Sequence, residues 1–179
     1  MSNDARTVFE AYKTTTLTFD CYGTLIDWES GACRALRDIY GYSRSEVTDD
    51  ALIDLFLHAD ARMIRENIFP YAKVLQRAAQ SIAESLRVRS DPALEASFAS
   101  SLPTWPVFEE TNPSLTWLAR RYRLAIISNV DDHLLSQTIK QLGAQCEVIV
   151  TSEQTKSYKP ALTWAYSLAS WVFPTPPIP

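Results

Sequence analysis

An apolar, β-branched run ends at a carboxylate in Leu17-Thr18-Phe19-Asp20, and the chain continues as Cys21-Tyr22-Gly23-Thr24-Leu25-Ile26-Asp27. A strand that stops at an aspartate and meets glycine three residues later delivers that carboxylate to an exposed turn. Glycine allows the sharp bend, or a close approach of the backbone to a bound anion. Thr24 adds a hydroxyl and an amide beside it. An aspartate held in this way can act as a nucleophile. Strand-end aspartates are also common turn formers and helix caps, so Asp20 draws its meaning from the elements around it.

Those elements alternate. Leu124-Ala125-Ile126-Ile127 reads as a buried strand that runs into Ser128-Asn129, and Glu147 to Thr151 reads as the next strand. Helices are predicted over Pro113 to Arg121 and over Asp131 to Leu142, the second ended by Gly143. Strands and helices alternating through short connections imply a parallel sheet with right-handed crossovers, whose ligand crevice lies at the carboxyl ends of the strands. Asp20, Ser128-Asn129 and Thr151-Ser152 all fall at such ends.

Between the first two strands, Gly31 to Ser101 reads mainly as helices. Leu52, Leu55, Phe56 and Ala59 recur at helical spacing, as do Val74, Leu75, Ala78, Ile82 and Leu86. Asp91-Pro92 carries the cap-plus-proline signature of another helix start, and Pro103 and Pro106 mark the exit. This pattern predicts an inserted helical cap.

A chain of 179 residues, 46% hydrophobic and 21% charged, suits one compact domain or a core carrying a small insertion. Its net charge of −4 and pI near 5.2 supply no basic face for nucleic acid. Cys21, Cys33 and Cys146, with His58 and His133, lack the spacing of a zinc site or a thioredoxin motif. A cysteine-based phosphatase needs arginine six residues after the nucleophile, and after Cys21 that position is Asp27. No Gly-x-Ser-x-Gly elbow occurs, which argues against a serine hydrolase. The polar opening Met1-Ser2-Asn3-Asp4-Ala5-Arg6 and the lack of a long apolar run predict a reduced, cytoplasmic protein with no membrane partner.

Asp20-x-Tyr22-Gly23-Thr24 after the first strand, Ser128-Asn129 after the second and Lys159-Pro160 after the third together resemble the haloacid dehalogenase (HAD) superfamily. The resemblance extends over roughly Thr16 to Pro160. It implies an α/β protein, with a Rossmann-like parallel-sheet core over 1–30 and 103–179 and a helical cap over 31–102. Phosphatases of the superfamily carry a second aspartate two residues after the nucleophile, where it protonates the leaving group. Here that residue is Tyr22. This looks like the L-2-haloacid dehalogenase-like (type II) branch, which needs neither that acid nor magnesium. A halide is a weak base and leaves without a proton.

By this resemblance Asp20 displaces halide from C2 of a small carboxylate-bearing substrate, and water hydrolyses the resulting ester at the carboxylate carbon. Lys159, in its Tyr-Lys-Pro context, is the implied partner, because a nearby ammonium favours a charged carboxylate and offsets its desolvation. Lys156 is assigned to the surface. Ser128, Asn129 and Thr24 would present donors to the substrate carboxylate or the oxyanion, with Tyr22 also at the substrate. No metal or cofactor is implied. Asp27 is expected to support the turn or the cap hinge, and Asp131 and Asp132 to cap the helix that follows them. Cys21 is expected to be packed. Haloacid dehalogenases receive the halide on a cap arginine; no residue here aligns securely with it, and Arg62 and Arg65 on a predicted cap helix are the candidates for that role. A magnesium-dependent phosphatase and a non-catalytic relative are the competing readings.

Family members continue past the Lys-Pro helix into another strand and an acidic final motif, whereas here Lys159 is followed by only about twenty residues. Ala161 to Ser170 can form a helix, but the proline-rich Trp171 to Pro179 cannot form a central strand. The expectation is a core without its last strands. Thr16 to Phe19 would then be an open sheet edge that invites pairing into a homodimer, and ester hydrolysis would be impaired.

Overall fold

A computed structural model describes residues 15–66, 70–161 and 163–164. Its centre is a parallel sheet of β1 (Thr16–Phe19), β2 (Arg123–Ser128) and β3 (Val148–Thr151), in the order β1-β2-β3. Each predicted strand is present, no end displaced by more than one residue. The register pairs Leu17 with Leu124, Phe19 with Ile126, and Ser128 with Thr151. The carboxyl ends of all three strands therefore lie side by side, which brings Asp20, Asn129 and Ser152 to one rim. Among the described residues β1 is an edge strand.

After β1 the chain forms four successive helices, α1 (Trp28–Tyr40), α2 (Asp49–Arg65), α3 (Tyr71–Leu86) and α4 (Pro92–Ser101). Their starts follow from local chemistry. The side chains of Asp27, Thr48 and Asp91 accept bonds from the amides of Ser30, Ala51 and Ala93/Leu94, and Pro92 occupies the first turn of α4, where its missing N–H costs nothing. Asp27 thus has the supporting role predicted for it. Apolar positions at helical spacing become the buried faces: Leu52, Phe56, Ala59 and Met63 on α2, and Val74, Leu75, Ala78, Ala79 and Ile82 on α3.

Aromatic side chains join these helices to the sheet. Trp105, fully buried in the connection leading to β2, meets Phe56, Phe98 and Tyr22 at ring separations of 6.0 to 6.2 Å. Gly31 of α1 is packed against the same ring, where an added Cβ would fall 2.3 Å from Trp105 Cγ. Any larger residue would push the helix off the junction.

The remaining helices are α5 (Thr111–Leu118), α6 (Asp132–Thr138) and α7 (Ser152–Thr155). α5 starts two residues earlier than predicted, because Thr111 is buried and its hydroxyl donates to Leu25 O at 3.0 Å, while Pro113 falls in the first turn. α6 is shorter than predicted and closes through a 3-10 turn over Ile139–Gln141. In the helix predicted over Ala161 to Ser170, Thr163 and Trp164 are helical; positions 165–170, Trp171 to Pro179 and Met1 to Arg6 lie outside the described residues. No helix among the described residues is long and apolar enough to cross a membrane.

Candidate active site

The turn after β1 is fixed by its own backbone. The carbonyl of Cys21 accepts from the amides of Leu25 at 2.8 Å and Ile26 at 3.0 Å, and Gly23 N–H donates to Ile26 O at 2.8 Å. Gly23 has φ +92°, a conformation that excludes side-chain-bearing residues at low cost. The turn leaves the Asp20 side chain 47% exposed at the strand end while Cys21 points into the core. Burial pushes the Cys21 thiol up to about 12, so it is a packed thiol and no nucleophile.

Lys159 connects the three strand ends. Its backbone N–H donates to Asn129 Oδ1 at 2.8 Å, which anchors the loop after α7 to the end of β2. Its Nζ donates to Asp20 Oδ1 at 2.5 Å and to Ile127 O at 3.2 Å. The ammonium also lies 5.8 Å from the centroid of the Trp164 ring. Three contacts hold its flexible side chain and a fourth holds its backbone, whereas Lys156 is exposed and ends α7 in a left-handed conformation.

Asp20, Lys159, Ser128 and Asn129 form one side of a cavity of about 190 Å³. Helical and junction residues form the rest, chiefly Trp28, Phe56, Tyr71 and Trp105. Tyr22 lines it with its ring, while its hydroxyl shares a 2.7 Å hydrogen bond with Thr138 Oγ1. Burial drives that phenol far above its ordinary range, so the residue at the phosphatase acid position holds its proton.

Other predicted residues sit elsewhere. Thr24 is exposed and lines a separate groove with Phe19, Leu25 and Phe108. Arg62 donates to Ser81 Oγ at 3.1 Å, and neither it nor Arg65 lines the cavity. Lys159 is the sole cation among the described lining residues.

Asp131 corrects an expectation. It stands at the start of α6, but its carboxylate turns away and accepts from the amides of Tyr71 and Ala72, each at 2.7 Å. It caps α3, 60 residues distant, because α3 begins after Pro70 and has no local capping side chain. Asp132 bonds to Thr151 and Gln154 instead.

Fixing the start of α3 also fixes Tyr71, whose hydroxyl donates to Asp60 Oδ1 at 2.9 Å. Asp60 lines the cavity from α2, and burial pushes its carboxyl up to about 6, against the opposing effect of the Tyr71 bond. Asp60, Tyr71 and Trp164 were not singled out in the sequence. For Asp60 a signal exists: it falls between Phe56 and Ile64 at spacing of four, an acid on an apolar helix face.

Searches for similar folds return the L-2-haloacid dehalogenase PA0810, at TM-score 0.75 and 17% identity over 89% of this chain and 71% of that one. The chain has the haloacid dehalogenase fold. The L-2-haloacid dehalogenase from Xanthobacter autotrophicus with chloropropionic acid covalently bound matches at TM-score 0.74 and 20% identity, over 92% of this chain and 67% of that one. A Bacillus subtilis protein described as a HAD-hydrolase, YfnB bound to magnesium, matches at TM-score 0.71 and 19% identity, over 92% and 74%. No family model and no curated protein sequence matches the chain. At these identities the likeness is one of fold, and the haloacid dehalogenase fold hosts more than one chemistry.

Proposed function

We propose that the chain is a hydrolase of the haloacid dehalogenase type that acts on a small carboxylate-bearing substrate through an ester on Asp20. The observation that carries this reading is the 2.5 Å contact between Lys159 Nζ and Asp20 Oδ1 at the strand-end rim of the cavity. With Oδ1 held by the ammonium, Oδ2 accepts no bond from the described residues and is the oxygen available for attack. That oxygen forms a bond to C2 of a 2-haloacid as the carbon–halogen bond breaks, and halide departs with the electron pair. Water then adds to Cγ of the ester, the 2-hydroxyacid leaves, and the Asp20 carboxylate is regenerated with release of a proton.

Within this reading Lys159 keeps the attacking carboxylate charged and oriented. Ser128, buried at the cavity wall, offers a hydroxyl to the substrate carboxylate. Asn129 acts by positioning Lys159 through its backbone N–H. Helices α1–α4 serve as the cap, closing aromatic rings over the site. Tyr22, with its hydroxyl engaged by Thr138, supplies shape and leaves the leaving group unprotonated, which suits halide better than alkoxide.

Halide release from L-2-chloropropanoate tests the reading. Wild type is expected to release chloride and Asp20→Asn to lose at least about 10⁴-fold in rate. Unchanged release by Asp20→Asn, or no release by folded wild type from any 2-haloacid, removes the dehalogenase assignment.

A further inference from the structure

The side of the cavity formed by the helices differs chemically from the side formed by the sheet. Asp60 is the one charged residue that α1–α4 contribute to the described lining. One of its oxygens accepts the Tyr71 hydroxyl at 2.9 Å. The other accepts no bond from the described residues, and no described cation pairs with this carboxylate. Around it the helical wall is apolar or aromatic, with Phe56, Leu57 and Ile64 as its neighbours on α2.

A carboxylate oxygen that lines a cavity without a protein donor is left to water, and a donor on a ligand can take the water's place. It also repels a halide or a second carboxylate arriving on that side. A site with a polar group waiting for a donor discriminates strongly against ligands that lack one, far more than an apolar pocket discriminates by size.

We propose that Asp60 is a specificity-determining residue, selecting a small acid whose tail carries a hydrogen-bond donor, a hydroxyl or an ammonium group, while the acid group faces Ser128 and Lys159. This rests on the proposed function only for which end of the ligand faces Asp20. The Tyr71 bond orients the carboxylate, and the Asp131 cap on α3 fixes Tyr71 in turn, so the acceptor is preorganised before any ligand enters.

Unreactive acids test this without turnover. Calorimetric binding of propanoate, 3-hydroxypropanoate and 3-aminopropanoate to the full chain is expected to show both substituted acids bound at least about tenfold tighter than propanoate. Asp60→Leu should abolish both preferences. Asp60→Asn, which keeps an acceptor of the same shape for Tyr71, should keep the hydroxyl preference and lose the ammonium preference, and it serves if Asp60→Leu does not fold. Equal or tighter binding of propanoate by wild type overturns the proposal, as does an ammonium preference that survives Asp60→Asn. Absent halide release with these preferences intact would refute the reaction and leave the specificity standing.

Discussion

Two aspartates face one cavity, and their surroundings differ in almost every respect. Asp20, on the strand-end side, is nearly half exposed and has an ammonium 2.5 Å away. Asp60, on the helical side, is more deeply buried, has no described cation, and takes a phenol as its partner. Burial raises the cost of ionising Asp60, and the Tyr71 hydrogen bond offsets only part of it. The difference shows that a carboxylate's chemistry here is set by the element that carries it. A strand end in a parallel sheet gathers neighbouring loops and their charges, whereas a mid-helix position has only the side chains that pack against it.

Removing the cation from the first side should have the largest effect. Lys159→Met is expected to lower kcat for 2-haloacid turnover about 10²–10³-fold, and Lys159→Arg should rescue little because the planar guanidinium cannot reproduce the point contact. Rate loss of less than about threefold in Lys159→Met would mean the two aspartates differ less than their partners suggest.

The second side is probed by pH. An unfolded chain releases the Asp60 proton near the ordinary 3.8, and the folded protein releases it near 6. The folded state therefore binds the proton more tightly, so stability falls as pH rises from about 4 to 6 and stays lower above that. Asp60→Asn removes this loss. It should be more stable than wild type by about 2–3 kcal/mol at pH 8 and nearly equal to it at pH 4, measured by urea unfolding. A variant that is destabilised equally at both values would contradict the assignment.

The Asp131 cap comes next. Asp131→Ala leaves the Tyr71 and Ala72 amides without their partner and should cost about 1–2 kcal/mol. It should also weaken the discrimination attributed to Asp60, since Tyr71 loses its anchor. The smallest effect is expected from Tyr71→Phe, about 1 kcal/mol at pH 8 and less at pH 4, because the lost bond favours the ionised Asp60. Its pH-dependent fall in stability should be steeper than in wild type, which the same unfolding series reads directly.

The contrast between the two aspartates also explains what was legible in the sequence. Ser128 ends a strand, Asp20 and Asn129 follow one and Lys159 follows the short helix after one, and the order of elements in a parallel sheet brings such positions to one rim whatever lies between them. The helical faces of α2 and α3 and the cap Asp91 were readable for a similar reason, since periodicity and capping are local, whereas Asp27 was read only as a structural support and proves to cap α1. The Asp131 bond to α3 was not, because it spans 60 residues between elements whose packing angle no local pattern encodes. Thr24 illustrates the same limit from the other direction: the family resemblance placed it at the substrate, but after the turn at Gly23 it lines a neighbouring groove. Asp60 broke an apolar pattern on its helix, and only the fold reveals that the break opens onto the cavity.

The most direct test of the central claim is a single turnover of L-2-chloropropanoate by excess enzyme in H₂¹⁸O, followed by mass analysis of the peptide that contains Asp20. Hydrolysis of an Asp20 ester at Cγ predicts one ¹⁸O in that carboxylate and an unlabelled 2-hydroxypropanoate. Label in the product with none in Asp20 would mean that water attacks the substrate directly, and Asp20 would not be the nucleophile.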